Sequence, residues 1–128
     1  SMKEIISTKK APDAIGPYNQ ATALANLVFT SGQIPLIPET MEIVEGGIKE
    51  QSKVVMDNLK EVLEEAGSSY ENVLKTTCYL SDMDNFASFN EVYSEYFKAQ
   101  TAPARATVAV KTLPKNVLVE VDAIAFKN

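Results

Sequence analysis

Two charged side chains stand in segments that read as strands. Glu120 interrupts Val117-Leu118-Val119 and Val121, and an ionised carboxylate in a buried strand needs a partner or a task. The task that fits is general acid/base chemistry in a partly dry site, holding and deprotonating water; the competing reading is a paired Glu at a sheet edge or subunit interface. Arg105 follows Pro103-Ala104 at the head of an alternating segment. Its guanidinium fork suits bidentate capture of a carboxylate, giving orientation as well as neutralisation, and its plainer reading is an exposed strand arginine. The segments Ile15-Gly16-Pro17-Tyr18 and Thr30-Ser31-Gly32-Gln33 add hydrogen-bonding groups. Ser31 reads as a binding hydroxyl and Gly32 as a place where backbone N–H can approach a ligand, although ordinary turn chemistry accounts for each taken singly.

Composition narrows the chemistry further. The 128 residues include no His and one Cys, Cys78, which excludes a Ser-His-Asp triad, a Cys-His pair, a His zinc site and a disulfide within one chain. Cys78 reads as a small buried strand residue. No metal-ligand cluster and no cofactor motif stands out, and Gly46-Gly47 lacks the Lys and Ser/Thr of a P-loop. With 12 Lys+Arg against 17 Asp+Glu, the net charge of −5 argues against gripping nucleic acid through bulk charge. No apolar run approaches the roughly 20 residues that span a bilayer, and the N-terminal residues lack a signal-peptide core. The expected location is cytoplasmic, without a membrane partner. Ser1 reads as a tag remnant, leaving 2–128 as a single domain.

Periodicity supplies the elements that must position these residues. Strands are expected at Glu4–Ser7, Tyr18–Ala25, Leu27–Ser31 and Asn72–Leu80, with an irregular connector from Leu36 to Glu45. Ile48, Val55, Leu59, Val62, Leu63 and Ala66 recur at helical spacing, with Gly67 placed as a left-handed cap. Ser81 to Asp84 offer N-caps for a second helix whose stripe of Phe86, Phe89, Tyr93, Tyr96 and Phe97 reads as core packing. Beyond Pro103 the period becomes two, and Pro114-Lys115-Asn116 is expected to turn Arg105–Lys111 into Val117–Phe126 as a closing β-hairpin. The order β-β-β-α-β-α-β-β is an α+β sheet with both helices on one face. Because the last strand is apolar on both sides, the uncovered face suggests oligomerisation through the sheet around a closed axis.

In such a hairpin, Arg105 and Glu120 would share a face about 13 Å apart along the strand. That is too far for one small substrate to touch both. A bulge that shifts the register, the long Arg side chain reaching back, or a meeting across a subunit interface would each close the gap.

The blocks Ile15-Gly16-Pro17-Tyr18, Thr30-Ser31-Gly32-Gln33-Ile34-Pro35, Glu65-Ala66-Gly67, Pro103-Ala104-Arg105-Ala106, Leu113-Pro114 and Val119-Glu120-Val121 together resemble the RidA/YjgF/UK114 family over nearly the whole chain. The resemblance implies a chorismate mutase-like fold and a homotrimer with a central barrel and ligand clefts between subunits. It further implies hydrolysis of 2-imino or enamine acids, such as 2-iminobutanoate and 2-iminopropanoate released by pyridoxal phosphate-dependent dehydratases, to 2-oxo acids and ammonia. By position, Arg105 resembles the residue that binds the substrate carboxylate and Glu120 the one that activates water. Tyr18, Ser31 and Asn90 resemble supporting site residues, with Gly32 and Thr107 lining the same cleft. Thr107 departs from the Cys that many members carry there, which puts thiol-based regulation in doubt but not imine hydrolysis. An endoribonuclease or translation inhibitor, and a non-catalytic trimeric small-acid binder, are the alternatives.

Overall fold

The computed structural model describes residues 2–128; the reading of Ser1 as a tag remnant lies outside them. The longer helix, α1 (Ile48–Glu65), buries Val55, Met56, Leu59, Val62 and Leu63 on one stripe. At its start the Gly47 N–H donates to Glu50 Oε1 at 2.8 Å. At its end Gly67 takes φ +80° and Ser68 N–H donates to Leu63 O at 2.9 Å, the left-handed stop that a glycine permits. The second helix, α2 (Phe86–Tyr93), is entered through a 3₁₀ turn at Met83–Asn85, where the Asp82 side chain accepts the Asp84 N–H at 2.8 Å. It ends sooner than the aromatic stripe. Tyr96 and Phe97 lie beyond its last turn yet pack into the same cluster, with Phe97 4.7 Å from Tyr93 and 4.8 Å from Tyr70, ring centre to ring centre.

Six strands follow the expected chain order: β1 (Glu4–Ile6), β2 (Ala21–Leu24), β3 (Leu27–Thr30), β4 (Val73–Leu80), β5 (Ala104–Ala109) and β6 (Val119–Phe126). All lie in one mixed sheet of spatial order β1-β2-β3-β6-β4-β5. The strand expected over Tyr18–Ala25 is shorter, because Gly16 at φ +124° folds the chain so that Tyr18 N–H bonds back to Gly16 O at 2.9 Å. Val119, Val121, Ala123 and Ala125 of β6 pack under the helices with Cys78 and Leu80 of β4. Ile5, Leu27, Phe29 and Val108 are exposed on the opposite face, which neither helix covers.

The closing hairpin does not form. β5 pairs with β4 in parallel, and β6 enters between β3 and β4, antiparallel to both. The connection from Val110 to Leu118 is long enough to pass round the end of β4. Val110 N–H bonds to Leu80 O at 2.9 Å on one side, and Ser81 N–H bonds to Leu118 O at 3.1 Å on the other. Leu113 and Val117 sink into the interior, Lys115 and Asn116 reverse the chain at φ 56° each, and Gln51 Oε1 of α1 receives the Leu118 N–H at 2.8 Å. Alternation sets which side chains of β5 and β6 point together in direction, but the lateral neighbour of each is set by burial. The most apolar strand takes the interior position and β5 is left at the edge.

Candidate functional site

The register of β4 decides where the two charged residues stand. Arg105 is opposite Thr76, whose fully buried hydroxyl is 2.8 Å from Tyr93 Oη under the helices. Glu120 is opposite Tyr79, three residues further along β4. An odd separation along a strand reverses the face. Arg105 therefore stands on the helix side and Glu120 on the uncovered side, about 10 Å apart along the strand and two strand spacings apart across it. The shared face expected from a hairpin is corrected by the insertion of β4 between their strands.

Around Glu120 the chain is closely packed. Gly32 lies against its carboxylate so tightly that a Cβ on Gly32 would sit 2.0 Å from Oε2. The turn is held there by a bridge between Gln33 and Val121, with Gln33 N–H donating to Val121 O at 2.8 Å. Burial first, and then the neighbouring Asp122, raise the Glu120 carboxyl above its ordinary value. Asp122 is raised as well, by burial, against the opposing pull of the Tyr79 hydroxyl and Lys75. A carboxylate so placed exchanges a proton with water more readily near neutrality than an exposed one. Ser31 Oγ donates to Asn19 O at 2.5 Å and Ser31 N–H donates to Gln20 O at 2.9 Å, so this serine anchors the turn.

Tyr18 and Gly32 share a cleft of ≈ 300 Å³. Its walls include Pro12, Ile15, Ile34, Leu36, Met41 and Pro114, an apolar lining with Asp13 and Lys115 exposed among it. The irregular connector expected at Leu36–Glu45 is a tight turn bridged at Leu36 and Ile43, and Met41, at φ 62°, lines this cleft.

On the helix side, Arg105 is exposed but organised. One guanidinium nitrogen donates to Asn90 Oδ1 at 2.7 Å, and its carbon lies 4.6 Å from the Tyr93 ring centre and 5.4 Å from that of Phe86. Lying over two aromatic rings and bonded to one amide oxygen, the guanidinium is held in place while its other donors stay open to a ligand. Arg105 forms no salt bridge among the described residues. An open depression of ≈ 610 Å³ adjoins it, bordered by Asn90, Tyr93, Phe97 and Pro103. Thr107 lies on the same side, opposite Cys78, and its buried hydroxyl has no partner among the described residues. Burial pushes the Cys78 thiol up to about 11. The sequence candidates thus divide in two: Arg105, Asn90 and Thr107 on one side, Glu120, Gly32, Ser31 and Tyr18 on the other.

Sequence reasoning passed over the buried amides that hold the second group in place. Asn58 donates to Leu36 O at 2.9 Å and to Ile34 O at 3.3 Å, while Gln20 ties down residues 8–12. The signal was present for Gln51 and Asn58, polar residues set among the apolar positions of α1. Among the described residues no group of three or more His, Cys, Asp or Glu is arranged to hold a metal ion, and no helix is long and apolar enough to cross a membrane.

A family model described as Endoribonuclease L-PSP matches residues 8–127. A RutC family protein of Pyrococcus abyssi is 57% identical over 125 residues, covering 98% of each chain. The chain belongs to the RidA/YjgF/UK114 (RutC) family. Another RidA relative, the 2-iminobutanoate/2-iminopropanoate deaminase of Homo sapiens, is 42% identical over 126 residues, covering 98% of this chain and 91% of the human one. The crystal structure of E. coli TdcF with bound serine matches with a TM-score of 0.91 at 42% identity, covering 98% of this chain and 99% of that one. The mixed sheet with two helices is the RidA α+β topology.

Proposed function

We infer that the protein hydrolyses reactive 2-imino and enamine acids, such as 2-iminobutanoate and 2-iminopropanoate, to 2-oxo acids and ammonia. The observation that carries this reading is the Arg105 fork, oriented by Asn90, Tyr93 and Phe86 with no carboxylate paired to it among the described residues. Such a group is ready for a substrate carboxylate. The identity to the human deaminase and the serine bound to the E. coli relative support a small carboxylate-bearing ligand.

The proposed chemistry uses one water and no cofactor. Arg105 grips the carboxylate and so holds the imine carbon in position, making the attack effectively intramolecular. Glu120 takes a proton from water as its oxygen bonds to that carbon and passes it to the imine nitrogen, giving a neutral carbinolamine. Glu120 then takes the carbinolamine's hydroxyl proton and delivers it to the amino group, so that the C–N bond breaks, ammonia leaves and the oxygen is left as the carbonyl. The imine is electrophilic already, so one base and one anchor suffice. Tyr18, Ser31, Gly32, Asn90 and Thr107 support the two groups.

Arg105 and Glu120 stand on opposite faces of one sheet, so a single substrate reaches both only if two copies each supply one. We propose a homotrimer whose uncovered sheet faces form a central barrel, with sites between subunits, consistent with the exposed Ile5, Leu27 and Phe29. In this reading the protein works in the cytoplasm beside pyridoxal phosphate-dependent dehydratases, which release such imines. The test is to generate 2-iminobutanoate with a threonine dehydratase and trap it with semicarbazide. The protein is expected to suppress trapping and Arg105→Ala to abolish the effect. Equal trapping with and without the protein would overturn the proposal, and calorimetric binding of 2-oxo acids without turnover would leave a small-acid binder. The description of the matching family model favours an endoribonuclease as the second reading. Against it stand the net charge of −5 and the lack of His; RNA cleavage that survives Glu120→Ala and repurification would restore it.

A further inference from the structure

One residue joins the two walls of the cleft beside Gly32. Gln20 is 4% exposed, and its side chain closes onto the segment Thr8–Pro12. Oε1 accepts the Thr8 N–H at 2.6 Å, and Nε2 is shared among Pro12 O at 2.7 Å, Thr8 O at 3.0 Å and Ala11 O at 3.3 Å. Its main-chain carbonyl meanwhile accepts the Ser31 N–H at 2.9 Å. The segment carrying Pro12 and Asp13 forms one wall, and the turn carrying Gly32 and Gln33 forms another. Residues 8–12 belong to no helix or strand, so this amide supplies the hydrogen bonds that a ladder would otherwise give. We propose that Gln20 is a positioning residue that sets the width of the cleft, and that the cleft receives the side chain of the imino acid.

The inference rests on the deaminase reading and adds a specificity element to it. Gly32 lines the cleft and touches the Glu120 carboxylate, so a substrate whose reacting carbon is near Glu120 has the cleft within reach of its side chain. A methyl group makes few contacts there, whereas a branched four-carbon side chain depends on both walls, and contact energy is lost once a gap opens. Loosening one wall therefore costs the larger substrate more.

The experiment compares 2-iminopropanoate with the leucine-derived imine, 2-imino-4-methylpentanoate, each generated in situ by an amino-acid oxidase. Parent turnover is measured first; no turnover of either imine overturns the deaminase reading itself. Given an active parent, Gln20→Ala is expected to raise KM about tenfold for the leucine-derived imine and less than twofold for 2-iminopropanoate, with kcat unchanged for both. Gln20→Glu presents an acceptor to three carbonyl oxygens until it is protonated. Its KM for the larger imine is expected to fall back toward the parent value between pH 8 and pH 6, a recovery that Gln20→Ala lacks. Equal effects on both imines, as general loss of folded protein would give, overturn the role of Gln20 alone. If neither variant folds, amide exchange of the parent decides. Exchange at Thr8 should slow more with 4-methyl-2-oxopentanoate than with pyruvate, and equal protection by the two overturns the proposal.

Discussion

The two sides of the sheet hold their charged residues by different physics. Arg105 sits on an edge strand, exposed to water, and is ordered by two aromatic faces and one amide oxygen. Glu120 sits on an interior strand, half-buried, and is hemmed in by the backbone of Gly32. Arginine tolerates the first arrangement because it keeps its charge anywhere and needs only its plane fixed. The carboxylate needs the second because only partial loss of water brings its proton affinity toward neutrality. In the proposed reaction, the anchor is therefore built at a rim from side chains, while the base is built into the sheet.

The largest test of this division uses subunits damaged on one side only. Arg105→Ala and Glu120→Gln are each expected to lower kcat/KM about 10³-fold. Unfolding the two together in equal amounts and refolding them should restore activity to about a quarter of the sites, since each site would draw its arginine and its glutamate from different copies. A mixture no more active than its components would show that both groups act within one chain.

A smaller change touches the glutamate side alone. Gly32→Ala places a methyl group against the Glu120 carboxyl, which must move aside. The expectation is a fall in kcat of about 10²-fold, the scale of losing a positioned base, with calorimetric affinity for 2-oxobutanoate falling far less, because Arg105 is untouched and the methyl group alters only one wall of the cleft. A matching loss of affinity would mean that the two sides are not separate.

The smallest effect is on stability. Glu120 and Asp122 have raised carboxyl pKa values in the folded chain, so folding favours their protonated forms. That contribution is fully present below the unfolded carboxylate range and is lost as pH rises through the folded values. Asp122→Asn should therefore raise the melting temperature by about 2 °C at pH 7 and leave it unchanged at pH 3. An equal gain at both values would assign the effect to something other than charge.

Much of this was legible from residue order, and the exceptions have a common cause. Amphipathic spacing located both helices, Gly67 marked the end of α1, and the order of six strands followed from turn residues and alternation. Glu120 stood out because it breaks an apolar pattern, and Arg105 because a guanidinium heads the alternating segment after Pro103-Ala104. What the pattern does not encode is the strand beside each strand. Arg105–Lys111 and Val117–Phe126 alternate as a hairpin would, yet β4 lies between them because the chain between passes round its end through Leu113 and Val117. The amides of Gln20 and Asn58 were missed for a related reason. Their hydrogen bonds run to backbone 8–12 and 22–24 residues away, and only the folded chain brings those groups together.

Cys78 lies on β4 between the edge strand β5 and interior β6, fully buried, with its thiol held protonated by burial. Neither alkylating reagents nor peroxide meet a thiolate there while the sheet is intact. As the chain's only sulfhydryl, it becomes a built-in clock for opening: the rate at which it is labelled reports how often β5 lifts from β4 or the whole domain unfolds.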